Sequence, residues 1–131
     1  MATVNTPASI AAAANALIPM VGTLNASGDP AKQAKAATLD QAINDALTQA
    51  SNLAAADVVQ LLSGAGPEAQ LQKLDAQAQA AAAQIAKEEA KVDNAISFLT
   101  SAVTFVGSVA TGNALSATTQ LGNMLNSLSI R

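Results

Sequence analysis

Apolar residues recur along this chain at alternating spacings of three and four, the period of a helix face, and no stretch alternates with the period of a strand. The most regular run is Leu71, Leu74, Ala78, Ala81, Ile85, Glu88, Val92, Ala95, Leu99, Ala102, Val106 and Val109, interrupted only by Glu88. A strict 3-4 repeat of this length predicts one helix over about 67–111 with a left-handed coiled-coil seam. A second stripe (Leu39, Ile43, Leu47, Ala50, Leu53 or Ala54, Val58, Leu61) predicts a helix over about 31–63. Between them, Gly64-Ala65-Gly66-Pro67 supplies a glycine stop and a proline start. So short a connection predicts antiparallel neighbours, a long αα-hairpin. Its seam would include Leu71, Leu74, Ile85, Glu88 and Val92, and the low bulk of 76–86 would let residues 31–63 approach closely.

Shorter helices flank this hairpin. Thr6-Pro7 reads as an N-cap followed by a first-turn proline, and Pro19 should kink or end the helix that follows. Ser27-Gly28-Asp29-Pro30 is a turn, a cap and a restart. Gly112-Asn113 closes the long helix, and 114–130 carries Leu115, Leu121, Met124, Leu125 and Leu128 on one side. Gly122 interrupts that last helix at a cost of about 1 kcal/mol relative to alanine, unless close packing accounts for it. The expected fold is all-α: a long antiparallel hairpin with N- and C-terminal helices packed on it or on neighbouring subunits, in one domain over 1–131.

Composition alters this picture in one respect. Alanine dominates the 50 % of hydrophobic residues, and the aromatics are Phe98 and Phe105 alone. Buried area must come from closely approaching backbones rather than large rings. Charge position says more. Every charged side chain except Arg131 lies between Asp29 and Asp93, so 1–28 and 94–130 have none. Uncharged surfaces tend to associate, which predicts that both segments are covered by each other, by another subunit or by lipid. The expected contact residues are Ile10, Leu17 and Ile18 in the first segment. In the second they are Ile96, Phe98, Leu99, Val103, Phe105, Val106, Val109, Leu121, Leu125 and Leu128.

Chemistry is sparse. Histidine and cysteine are absent, which removes the commonest general base, thiolate nucleophiles and the usual zinc ligands. Serines and threonines have no histidine to activate them, and Gly64 and Gly66 lack the Lys-Ser/Thr ending of a phosphate loop. Glu88, Glu89 and Asp93 form the one acidic cluster. A seam acid paired with lysine accounts for Glu88 better than a proton-handling role. Catalytic, cofactor and metal sites are therefore not expected. A net charge of −3 with six Lys and Arg gives no basic stripe for nucleic acid. The apolar run near the N-terminus has no preceding Lys or Arg, so a Sec signal is not expected, which leaves a cytoplasmic place or a non-Sec route.

Two functions fit. The first is a structural, self-assembling helical subunit whose partner is itself, with the uncharged segments as contacts. The second is a membrane-active or pore-forming protein inserting 94–111 together with 8–26, although 94–111 is short of a full span and carries Ser, Thr and Asn. A weaker third is an adaptor that binds another protein's helix through the seam.

Overall fold

The computed structural model describes residues 5–62 and 67–129, and among these every regular element is helical. Helix α1 (Thr6–Ala16) and helix α2 (Ile18–Asn25) are two halves of one kinked rod. Then come α3 (Pro30–Ser51), α4 (Ala55–Leu62), α5 (Pro67–Ala86), a 3-10 turn (Glu89–Lys91), α6 (Val92–Ala110) and α7 (Ala114–Ser127).

The stops and starts follow local chemistry. The first N-cap is Asn5, whose side chain accepts from the Ala8 N–H; Thr6, expected to cap, is already inside the helix and buried. Pro19 lies in the first turn of α2, where its missing N–H is harmless, and the rod bends at Leu17. Asp29 caps α3 through the Ala31 N–H, and Gly28 takes a left-handed backbone (φ 76°) in the turn that follows the Ala26 cap of α2. Gly112 does the same after α6 (φ 74°), and Asn113 caps α7. The Gly64–Gly66 turn lies outside the described residues.

Two long helices are broken where continuity was expected. Asn52–Ala54 separates α3 from α4, and Lys87–Lys91 separates α5 from α6. These breaks overturn the hairpin. Helix α5 packs chiefly on α1 rather than on α3. The two run parallel, with Asn5 and Ser9 beside Asp75 and Ala12 near Gln79. Since the chain reverses at Lys87–Lys91, α6 lies beside α3, also parallel: Lys32 meets Glu89 and Lys35 meets Asp93 at one end, and Gln49 and Val106 line one groove towards the other. The short connections α2–α3 and α6–α7 do give antiparallel pairs, held by Gln33 to the Asn25 carbonyl and by Ser108 to Ser116. The packing order is a ring, α5–α1/α2–α3–α6–α7, closed by contact of α7 with α5.

The inside of this ring is one continuous core. Ile10, Leu17, Met20, Leu39, Leu74, Phe98, Leu99, Phe105, Leu121 and Met124 are fully buried in it. So are Ala13, Ala14, Ala36, Ala82, Ala95, Ala102 and Ala117, which bring backbones together where larger side chains would hold them apart.

Candidate functional site

The 3-4 repeat does mark an inward face. Leu71, Leu74, Ile85 and Val92 are all buried, but the three on α5 lie on a helix that packs chiefly on α1, and only Val92 lies on a helix, α6, that packs on α3. Glu88 is the exception and leaves the face altogether. It sits in the bend with extended backbone (φ −122°, ψ 101°), exposed to solvent, its carboxylate 3.2 Å from Lys91 Nζ. The seam position expected for Glu88 is thereby corrected, because unwinding at Lys87–Lys91 carries its carboxylate into water, while the lysine partner expected for it is present as Lys91.

The expected contact residues divide the same way. Ile10, Leu17, Phe98, Leu99, Phe105, Val106, Val109, Leu121, Leu125 and Leu128 face the core of their own chain. Ile96 and Val103 are half-buried against that core, and Ile18 is 48 % exposed. The N-terminal uncharged segment is thus covered mainly by α5 and α3, and the second one by the pairing of α6 with α7 and by α3. Sequence reasoning identified these residues as needing cover without showing that the chain supplies most of it.

The charged groups gather on α3, on α5 and around the bend. Lys32 Nζ lies 2.6 Å from Glu89 Oε2, and Lys35 Nζ lies 2.7 Å from Asp93 Oδ1, so the acidic cluster clasps the start of α6 to the start of α3. The hydrogen bond to Glu89 and then the charge of Glu89 raise the pKa of the Lys32 amine above its ordinary 10.5. Asp75 on α5 accepts the Asn5 N–H at 2.7 Å and the Ser9 hydroxyl, tying down the start of α1. No three His, Cys, Asp or Glu side chains converge on a metal position among the described residues. An open groove of about 700 Å³ between the α3–α4 corner and the end of α6 is lined by Gln49, Asn52, Asp57, Val106 and Gly112. Among the described residues Asp57 is its one ionisable group, so they form no acid–base pair there.

The feature that stands apart is the outer surface of α6 and α7. Along α6 it displays Ser97, Thr100, Thr104, Gly107 and Thr111, all exposed, and α7 adds Thr119, Asn123, Asn126 and the 80 % exposed Leu115. The threonine hydroxyls donate to their own helix: Thr104 to the Thr100 carbonyl (3.0 Å), Thr111 to Gly107 (3.1 Å), Thr118 to Ala114 (2.8 Å) and Thr119 to Leu115 (3.0 Å). With those protons committed inward, the surface asks less of water than its composition suggests. A Cβ built on Gly107 or Gly122 would meet no heavy atom within 4 Å, and the same holds for Gly22 on α2. Each glycine inside a helix costs about 1 kcal/mol relative to alanine, and packing within the chain gives these three no return. Their outward direction was not legible in the sequence, where close packing inside the chain was the available reason for Gly122. Comparison with protein-family models, curated proteins and solved structures finds no match to this chain.

Proposed function

We propose that this chain is a structural, self-assembling helical subunit, without catalytic chemistry, whose partner is a second copy bound across the outer surface of α6 and α7. The observation that carries this reading is the placement of Gly107 and Gly122. Both weaken their helices within the uncharged stretch 94–130, and both leave open space where a neighbouring backbone could come close. The inward-bonded threonines and the exposed Leu115 support it, because such a surface costs little to desolvate. The test is size-exclusion chromatography with light scattering on wild type, Gly107→Leu and Gly122→Leu. Wild type should exceed its 13.0 kDa monomer mass, and the leucine variants should elute as folded monomers. A wild type that stays monomeric at high concentration overturns the reading.

A second reading is membrane activity. The rod Thr6–Asn25 and the segment Glu89–Ala110 are each long and apolar enough to cross a bilayer, and both turn apolar faces into the core. Lipid contact would then require the bundle to open. Release of dye from liposomes supports this reading, and its absence across anionic and neutral lipids removes it.

A further inference from the structure

The bend at Lys87–Lys91 contradicts its own sequence. Ala86-Lys87-Glu88-Glu89-Ala90-Lys91 contains no Gly, Pro, Asn or β-branched residue, and each of its residue types is a strong helix former. Every other described corner after α2 carries a breaker or a cap: Gly28-Asp29-Pro30, Asn52 and Gly112-Asn113. The apolar repeat also runs through the bend without a phase shift, from Leu74, Ala78 and Ile85 to Val92, Ala95 and Leu99. Local propensity therefore specifies a straight helix where the fold has a reversal.

What opposes the straight helix is charge. In a continuous helix Lys87 and Lys91 would stand four apart, and so would Glu89 and Asp93, two like-charged neighbours. In the bent form Glu89 and Asp93 are drawn away to Lys32 and Lys35 on α3. The Lys32–Glu89 pair lies in the bend itself and is exposed, so it holds the bent form only weakly, whereas the Lys35–Asp93 pair and the packing of α6 recur wherever α6 docks on an α3.

We infer that α5 and α6 can straighten into one helix, so that α6 and α7 leave their own bundle and take the same place in a second copy of this chain. This exchange rests on the self-association proposed above and replaces surface contact with a swapped hairpin. Its physical basis is economy. Because α6 and α7 form a hairpin joined to the preceding elements through the bend, the exchanged form repeats their contacts with α3, α5 and the core. The two forms then differ at the bend and in the entropy of association, so small terms at the bend decide between them. Phe98, Leu99, Phe105 and Leu121 would stay buried in both forms, as subunit contacts in the second.

The bend supplies a pair of variants that separate backbone from charge. Glu88 is extended, as a residue before proline prefers, and the Glu89 N–H donates to no acceptor found among the described residues. Glu89→Pro should accept the bent form and forbid the straight one. Glu89→Ala loses the same carboxylate but keeps helix propensity. Copies carrying Lys35→Cys alone are mixed with copies carrying Asp93→Cys alone, unfolded, refolded together at high concentration and treated with a short bis-maleimide. The chain has no native cysteine to interfere. Exchange yields covalent pairs between the two kinds of copy. Those pairs should rise severalfold with Glu89→Ala and fall to background with Glu89→Pro, while circular dichroism stays helical in both. Oligomers without such pairs overturn the exchange and leave surface assembly standing. Absence of any oligomer overturns both, and cross-copy pairs that persist in a helical Glu89→Pro protein overturn the bend as the hinge.

Discussion

Substituting Ala82 by leucine tests whether the alanines of this core are spacers or merely small filler, because the two possibilities predict opposite signs. Ala82 is fully buried on α5, which packs on α1, where Ala13 and Ala14 are also fully buried. Leucine adds three carbon atoms. If the core were loose enough to accept them, burying about three methylene equivalents at ~0.8 kcal/mol each would stabilise the fold by roughly 2 kcal/mol. If the α1–α5 backbones already lie at contact distance, the same atoms force the helices apart or the side chain off its rotamer, costing about 1–3 kcal/mol. The continuous burial across this interface predicts the loss. Against a domain stability of about 5–15 kcal/mol this is a large fraction. The assay is urea unfolding followed by far-UV circular dichroism, since the chain has no Trp or Tyr to report by fluorescence. The urea midpoint should fall with little change in slope. Phe98→Ala serves as the opposite perturbation at a fully buried position on α6, with an expected loss of about 3–5 kcal/mol. A stabilised Ala82→Leu protein would refute close backbone packing as the basis of this core.

Three further outcomes are expected. Gly107→Ala and Gly122→Ala, each adding a methyl group into open space within a helix, should stabilise the monomer by about 0.5–1 kcal/mol apiece in the same urea assay at low protein concentration. Thr6 Oγ1 is fully buried and has no hydrogen-bond partner among the described residues, so Thr6→Val should raise the melting temperature, as exchanging an unsatisfied hydroxyl for a methyl group does. The Lys32 pKa is raised by Glu89, so the contact adds stability fully below the ordinary amine value of 10.5 and loses it as pH climbs through the raised value. The difference in urea midpoint between wild type and Lys32→Ala should therefore hold steady from neutral pH to about 10 and shrink above it, and a difference that grows there would contradict the ion pair.

What the sequence discloses about this fold follows from what periodicity encodes. The repeat Leu71 to Val109 identifies an inward face, because a helix with one apolar stripe has to bury that stripe. It does not name the element that covers it, since alanine and leucine stripes of similar width occur on α1, α3, α5 and α6. Corners written in glycine, proline and aspartate, such as Gly28-Asp29-Pro30, could be placed because those residues act on their own backbone. The bend at Lys87–Lys91 could not, because it comes with the docking of α6 on α3, whose pairs Lys32–Glu89 and Lys35–Asp93 join residues 57 and 58 positions apart. The parallel pairing of α3 with α6 and the exposed place of Glu88 both depend on that bend, so neither is legible in the sequence.

The candidate surface is partly legible for a related reason. Absence of charge over 94–130 marks the helices that need cover, but it cannot divide their residues between core and exterior. Phe98 and Phe105 go inward, and Thr100, Thr104 and Gly107 go outward, only because α3 and α7 arrive on the same sides of α6. The repeat that builds the core therefore also builds the outer stripe, offset around the helix by roughly half a turn. A change in the register of α6 would expose the phenylalanines and bury the threonines together, so stability and any assembly through this surface are coupled through the rotation of a single helix.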